Sequence, residues 1–263
     1  MRMRPDPDET LVTLESLSQH GVGERAAWGL GEIAKAVGLA VVIYFFVAVA
    51  IILPTDAAFD RDSAGAVLGQ IAAVALLDAG LVLAAFRLAR GKGAGWRELG
   101  LRPASETKAT GWTLRRLLTL VIVANFVARG LIVIYGLLLE LLGLEDLLPA
   151  QQLDDEFFEH DFVLPLLGVA LVIIAPFAEE VFFRGLVFAG LRRRLAFLPA
   201  ALVSGILFSF AHGDPGLVVP FALVGMVLAY AYERTGTLLA PMGVHLVFNL
   251  VSFLALVFIP EWR

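Results

Sequence analysis

The sequence predicts an all-α protein that crosses a membrane several times. Of its 263 residues, 59% are hydrophobic and only 17% are charged, and the mean hydropathy is +0.83. A typical soluble domain is about 45–50% apolar and about 25% charged. The apolar residues form long runs, and about 20 such residues in a helix span the hydrocarbon core of a bilayer. We therefore predict a polytopic membrane helical bundle of about seven transmembrane helices, preceded by an N-terminal amphipathic segment.

The composition also excludes several classes of function. The chain has no cysteine, so it has no disulfides, thiol nucleophiles or Cys-based metal sites. The formal net charge is −5 and no long basic run is present, so nucleic acid is not an expected partner. The first 30 residues carry five acids and no compact apolar core, which argues against a cleavable signal peptide. The expected partners are the lipid bilayer and a membrane-associated protein or peptide; composition does not predict the oligomeric state.

Two regions are predicted along the chain. Residues 1–31 are expected to be a cytoplasmic or interfacial segment, because Leu11, Leu14 and Leu17 recur at a spacing typical of a helix on the membrane surface. Residues 32–263 are expected to form the transmembrane domain.

Seven apolar runs make up this domain, and charged or turn-forming residues separate them. The predicted spans are about 33–54, 66–88, 117–142, 162–191, 197–212, 215–232 and 237–259. The fifth run is the shortest, so a re-entrant segment in its place, or an eighth span, stays open. Residues 87–116 are predicted to be a long loop with a short interfacial helix around residues 96–101.

Charges in the connections predict the orientation. Residues 87–116 carry eight Lys or Arg and the fourth run ends on Arg192–Arg194, whereas residues 140–161 carry eight acids and no Lys or Arg. Cytoplasmic loops are enriched in Lys and Arg. We therefore predict a multi-pass protein of the cell (plasma) membrane with its N-terminus in the cytoplasm. The acidic loop is expected to be solvated, and a gating role for it stays open.

The chemistry is expected to centre on the fourth run, where Glu179, Glu180 and Arg184 interrupt the apolar sequence. Each charge at the bilayer centre costs about 2.5–3.5 kcal/mol even on mild scales, so three together favour a polar cavity. Glu180 and Arg184 are four residues apart and are predicted to pair on one helix face, which leaves Glu179 outside the pair. Asp78 and Arg129, in the second and third runs, have no motif. Asp78 is expected to be hydrogen-bonded in the bundle, and a catalytic role for it stays open. Arg129 is expected to snorkel or pair inside the bundle.

Three more polar signatures follow in the last spans: Phe208-x-x-x-His212, the turn Arg234-Thr235-Gly236, and His245-x-x-x-Asn249. Each alone is typical of a structural bundle residue or of helix-to-helix hydrogen bonding. Together they favour one site. At 1.5 Å per residue, Glu179, His212 and His245 lie roughly 18, 24 and 12 Å from the inner helix ends, so they can meet at mid-depth.

These residue types suit the attack of water on an acyl carbon. A carboxylate desolvated in an apolar bundle becomes a stronger base, so Glu179 is a candidate general base. His212 could share the water and deliver a proton to the leaving amine. His245 and Asn249 could donate hydrogen bonds to the oxyanion. The predicted reaction is peptide-bond hydrolysis without a covalent intermediate.

The four signatures together resemble those of the CAAX-protease and bacteriocin-processing (CPBP, Abi, Rce1-like) intramembrane endopeptidases, over about residues 160–255. The resemblance implies that Glu179 and His212 activate the water and that His245 and Asn249 stabilise the oxyanion. It also implies that Glu180 and Arg184 support the site. Prenylated CAAX substrates are those of the eukaryotic relatives; the sequence does not select between them and another peptide.

Three alternatives remain at this stage. No cofactor is expected, but Zn²⁺ bound by Glu179, His212 and His245 is the alternative. The chain could instead be a catalytically silent membrane scaffold or bacteriocin-immunity protein. A small transporter with a carboxylate and imidazole proton relay is also possible, although such proteins usually have inverted repeats and the sequence has no visible repeat.

Overall fold

The computed structural model describes residue 22 and residues 26–54, 63–103, 113–147 and 162–259. Within these ranges the chain forms seven helices and no strand. They are α1 Leu30–Val47, α2 Ala64–Arg90, α3 Leu114–Leu142, α4 Val163–Arg192, α5 Phe197–Phe210, α6 Val218–Thr235 and α7 Leu239–Phe258. A π-helical turn, Ala48–Ile52, extends α1, and 3₁₀ turns form at Glu145–Leu147 and Pro215–Leu217. The predicted all-α bundle is confirmed.

Six of these helices are long and apolar enough to cross a membrane, and the exception is α5. Its 14 residues span only about 21 Å at 1.5 Å per residue, less than the ~30 Å of a bilayer core. The helix α5 is therefore too short to cross the bilayer by itself. The protein is a multi-pass membrane bundle. Most of the predicted amphipathic segment and of the acidic loop lies outside the described residues.

The connection after α2 is a packed loop, whereas the sequence predicts a short interfacial helix there. Residues 91–103 make successive turns, and Leu99 in this loop is fully buried. Tyr232 of α6 donates its hydroxyl hydrogen to the Leu99 carbonyl at 3.2 Å. The guanidinium of Arg102 donates twice to the carbonyl of Gly236, at 3.1 and 2.9 Å. The turn signature between α6 and α7 thus holds the loop against the bundle.

The helix α4 departs from regular α-helical hydrogen bonding in two segments, Ala170–Ile174 and Glu180–Phe188, which are π-helical. A π segment pairs residues five apart, and such segments are often found at functional sites. The second one carries Glu180 and Arg184. Side chains from elsewhere in the chain donate to its carbonyls: Ser204 to Phe183 at 3.0 Å and Trp28 to Leu186 at 2.7 Å.

The first π segment explains a contact of Asn249. The amide of Ala175 donates to the carbonyl of Ala170, five residues back, and Pro176 has no N–H to donate. The carbonyl of Leu171 is therefore left without a main-chain donor at the fourth or fifth position. The side-chain amide of Asn249 supplies one, at 2.8 Å, and so ties α7 to α4.

Glycine lets α5 and α6 cross closely. A Cβ on Gly225 would lie 2.8 Å from the Cα of Gly205, and a Cβ on Gly205 would lie 2.5 Å from the carbonyl oxygen of Ala222. Small residues at such crossings allow membrane helices to approach. The buried carbonyl of Gly225 accepts a hydrogen bond from Arg184 of α4 at 3.2 Å.

Polar side chains of α3 hold α7 in place. Asn125 donates to the carbonyl of Val244 at 3.1 Å. One turn further along α3, the guanidinium of Arg129 donates to the carbonyl of Phe248 at 2.7 Å. Its Cζ lies 4.6 Å from the centroid of the Phe248 ring. The prediction that Arg129 pairs inside the bundle is confirmed, and its partner is a backbone carbonyl.

Candidate active site

Glu180 is the centre of a buried polar cluster. Its side chain has no exposed surface, and its Oε1 accepts a hydrogen bond from Nη1 of Arg184 at 3.0 Å. The predicted ion pair is therefore present. The same oxygen lies 2.9 Å from Nδ1 of His245. Because an ionised carboxylate only accepts hydrogen bonds, the Nδ1 of His245 is the donor, and this contact fixes the orientation of the imidazole.

Glu179 is placed differently from Glu180. Its side chain is 17% exposed, and its Oε2 lies 3.6 Å from Nε2 of His245. That oxygen is buried and accepts no hydrogen bond from the described residues. The two glutamates therefore bracket one imidazole, with Glu180 at Nδ1 and Glu179 at Nε2. Each carboxylate keeps one buried oxygen, Oε2, without a hydrogen-bond partner among the described residues. They differ in that Glu180 is fully buried and accepts two hydrogen bonds on Oε1, whereas Glu179 is partly exposed.

Arg184 is the positive charge that accompanies this acid pair. Its side chain is fully buried, and its guanidinium lies 4.4 Å above the ring of Phe208. With the hydrogen bond to Gly225, the side chain reaches α5 and α6 from α4. An Arg held on three sides in this way gives Glu180 a fixed partner.

His212 is near this cluster but is not hydrogen-bonded to either glutamate. It is exposed, and its Nδ1 lies 2.9 Å from the carbonyl of Phe208. The ring of Phe208 is 4.8 Å from the imidazole of His212 and 5.8 Å from that of His245, centroid to centroid. Phe208 thus connects the two imidazoles. Since a carbonyl only accepts, Nδ1 of His212 is the donor, which leaves its Nε2 as an acceptor.

Asn249 lies one turn beyond His245 on α7, as the four-residue spacing predicts. One of its two amide hydrogens is used on the carbonyl of Leu171. The second N–H remains to serve another acceptor. Asn249 therefore makes a helix-to-helix hydrogen bond of the kind common for Asn in membrane helices.

Asp78 of α2 is a buried acid for which the sequence predicts a hydrogen bond within the bundle and leaves a catalytic role open. Its side chain is 5% exposed, and the predicted hydrogen bond is not formed with any described residue, because Oδ2 has no partner. The sequence signal was present: an acid near the middle of an apolar run, with no basic residue four positions away.

A zinc site needs three or four ligand side chains that meet at one point. Among the described residues, no three His, Asp or Glu side chains are grouped so that they could hold a metal ion. In the alternative zinc set, His212 makes no hydrogen bond or ion pair with Glu179 or His245. These donors do not fit a metal ion in this arrangement. The expectation of a metal-free site stays a prediction.

Comparison with known proteins agrees with the site. A sequence model of the family described as type II CAAX prenyl endopeptidase Rce1-like matches residues 161–251. The chain is 30% identical over 86 residues to the putative membrane peptidase YdiL of Bacillus subtilis, which is 33% of this chain and 35% of that protein. It is 30% identical over 92 residues to the membrane-embedded CAAX protease MroQ of Staphylococcus aureus, 33% of this chain and 37% of that protein.

A third relative is an uncharacterized 24.3 kDa protein of Escherichia coli, 33% identical over 115 residues, which is 40% of this chain and 52% of that protein. The matched parts thus span between about a third and a half of these relatives. No solved structure matches the chain significantly. The matched segment carries every site residue described above except Asp78. Residues 161–251 are therefore similar in sequence to the family described as type II CAAX prenyl endopeptidase Rce1-like.

Proposed function

We propose that the protein is an intramembrane endopeptidase that hydrolyses a peptide bond of a membrane-associated protein or peptide. The observation that carries the proposal is the placement of His245 between Glu179 and Glu180, at 3.6 and 2.9 Å. Buried charges are costly inside a membrane bundle and usually mark a functional site. The Rce1-like match over the same residues supports this reaction class.

In the proposed reaction Glu179 is the general base. It is the partly exposed carboxylate of the two, whereas Glu180 is fully buried and its Oε1 is held by Arg184 and His245. Glu179 takes one proton from a water molecule while the water oxygen attacks the carbonyl carbon of the scissile bond. The π electrons of that carbonyl move to its oxygen and form an oxyanion. Glu180 acts by holding the imidazole in place.

The oxyanion then needs donors, and the leaving amine needs a proton. The second N–H of Asn249 is one proposed donor, and Nε2 of His245, when protonated, is the other. The intermediate collapses by breaking the C–N bond, and the amine receives the proton that Glu179 took from water. His212, with an acceptor nitrogen at the end of α5, is the proposed carrier of that proton. The products are an amine and a carboxylic acid, which keeps the other proton of the water until it ionises.

The orientation in the plasma membrane is proposed with the N-terminus in the cytoplasm. Two contacts support a shared side for the start of α1 and the ends of α2 and α4. Lys92 pairs with Glu32 at 2.9 Å, and Arg193 donates to the carbonyl of Trp28 at 3.1 Å. The basic ends of α2 and α4 are thus on one face, as expected for a cytoplasmic surface.

The experiment that tests the proposal compares membrane fractions of cells carrying the wild-type protein, Glu179→Ala or Glu140→Gln. Glu140 is an exposed acid of α3, so its substitution is a control for the loss of one carboxylate. Protein termini are identified by mass spectrometry. We expect uncut precursors to accumulate with Glu179→Ala only. Identical terminus profiles for all three proteins would contradict the proposal and favour a silent scaffold.

A further inference from the structure

Trp28 lies just before α1 and is held against the helix α4 by two hydrogen bonds. Its side chain is fully buried. The indole Nε1 donates to the carbonyl of Leu186, 158 residues further along the chain, at 2.7 Å. The carbonyl of Trp28 accepts a hydrogen bond from Arg193 at 3.1 Å. The chain before α1 is therefore fixed to the helix that carries Glu179 and Glu180.

Gly190 of α4 makes this close approach possible. A Cβ at Gly190 would lie 2.8 Å from Cδ1 and 3.1 Å from Nε1 of the Trp28 indole. The first of these distances is shorter than real Cβ contacts allow, so any larger residue would displace the indole. The hydrogen bond to Leu186 thus depends on a glycine one turn further along α4.

The carbonyl of Leu186 belongs to the π-helical segment Glu180–Phe188. The N–H of Ala189, directly after this segment, is directed at two carbonyls: that of Arg184, five residues back, and that of Leu186, three residues back. Only the pairing with Arg184 has the five-residue spacing of a π-helix. Because the indole N–H of Trp28 satisfies Leu186, the single hydrogen of Ala189 remains for Arg184.

The pairing at Arg184 matters because this residue connects the helix to the proposed site. A change from five-residue to four-residue pairing would turn the helix on one side of it by about 100° relative to the other. The contacts of Arg184 with Glu180 at 3.0 Å and with the Gly225 carbonyl at 3.2 Å would then not both survive. Glu180 in turn holds Nδ1 of His245 at 2.9 Å.

We propose that Trp28 is a positioning residue for the reaction centre. Its indole N–H keeps the π-helical pairing at Arg184 and, through Arg184 and Glu180, the orientation of the His245 imidazole. Trp28 lies outside residues 161–251, so this support comes from a part of the chain that the family match does not cover. The kinetic consequence rests on the proposed function, whereas the orientation of His245 can be measured without a substrate.

The experiment uses the full-length protein in nanodiscs and three variants. The first has 3-benzothienylalanine in place of Trp28, which keeps the shape of the indole and replaces its N–H with sulfur. The second, Gly190→Ala, keeps the indole N–H but displaces it. The control is Thr119→Val, which removes a side-chain hydrogen bond to a helix carbonyl, that of Arg115 at 2.9 Å, on an exposed face of α3.

The first measurement is the proton NMR signal of the His245 Nδ1–H in protein labelled with ¹⁵N-histidine. An imidazole N–H that donates to a carboxylate gives a signal far downfield, and its absence from His245→Gln assigns it. We expect this signal to move upfield or disappear for the first two variants and to stay in place for Thr119→Val. The second measurement is cleavage of a precursor peptide that accumulates with Glu179→Ala. We expect kcat to fall about 10–100-fold for the first two variants, with KM unchanged.

An unchanged His245 signal in the benzothienylalanine protein would overturn the inference, whatever happens to kcat. A lower melting temperature with the signal in place would show that Trp28 only anchors the chain before α1, which also overturns it. A displaced signal with kcat within threefold of wild type would overturn the link from this orientation to the reaction. Cleavage that survives Glu179→Gln would remove the proposed function, while the NMR signal would still decide whether Trp28 positions His245.

Discussion

Replacing Arg184 with Met should destabilise the protein strongly. The guanidinium is fully buried and pairs with Glu180 at 3.0 Å, so its loss leaves a buried carboxylate without its cation. Removing one partner of a buried ion pair typically costs about 3–5 kcal/mol. For a chain of this size, 1 kcal/mol corresponds to about 2–4 °C in melting temperature. We therefore expect Arg184→Met to lower the melting temperature by about 10 °C.

The assay is thermal unfolding of the purified protein in detergent, followed by tryptophan fluorescence. Two further proteins make the result specific. Arg115→Met removes an exposed Arg at the start of α3 and should leave stability within about 0.5 kcal/mol of wild type. The double substitution of Glu180→Leu with Arg184→Met removes both charges and should recover most of the loss, because an apolar pair avoids the desolvation cost.

Two melting-temperature results would contradict the pairing of Arg184 with Glu180. If Arg184→Met melts within 2 °C of wild type, Glu180 is not held as a charged group by this arginine. If the double substitution is less stable than Arg184→Met alone, the two residues do not act as a pair. In either case the account of how Glu180 holds the imidazole of His245 would be wrong.

Three other contacts give predictions for the same unfolding assay. Gly205→Ala places a Cβ 2.5 Å from the carbonyl oxygen of Ala222; the backbone must shift, at a cost of about 1–3 kcal/mol, and wild-type stability would contradict the close crossing. Asn249→Leu leaves the Leu171 carbonyl without a donor and should cost about 0.6–1.7 kcal/mol; an unchanged melting temperature would show that this hydrogen bond is not formed. Tyr232→Phe removes the hydroxyl that holds the loop after α2 and should cost about 0.5–1.5 kcal/mol; proteolysis within that loop should increase, and equal protection would contradict the contact.

Much of the bundle was predictable from the sequence because apolar runs and charged connections are local signals. Each of the seven predicted runs contains one helix, with ends that differ from the predicted ones by a few residues. The ion pair of Glu180 and Arg184 was predictable for the same reason, since four-residue spacing defines one helix face.

The π-helical segments of α4 were not predictable. A change from i→i+4 to i→i+5 pairing leaves no periodic mark in a run that is apolar on all sides. The partner of Asn249 depends on that change, because the Leu171 carbonyl loses its donor only in the π register. The packed loop after α2 was missed because the burial of Leu99 depends on a tertiary contact with α6.

Convergence of the site was only partly predictable. The spacing of His245 and Asn249 indicates one helix face, but it does not indicate that His245 lies between two glutamates. The sequence predicts that His212 lies beside Glu179 and His245. In the structure His212 follows the short helix α5 at the edge of the cluster, and the ring of Phe208 lies between it and His245. Distances between helices depend on how each one tilts and crosses, and glycine contacts such as that of Gly205 with Gly225 determine this.

The most direct test of the central claim is the kcat of purified Glu179→Gln on a peptide that the wild-type protein cleaves, measured in nanodiscs with the melting temperature of both proteins. Gln keeps the size of the side chain and removes its ability to take a proton. The account predicts a fall in kcat of about 10²–10⁴-fold with the melting temperature unchanged or higher. Cleavage by Glu179→Gln at more than a tenth of the wild-type rate would contradict the claim that this carboxylate activates the water.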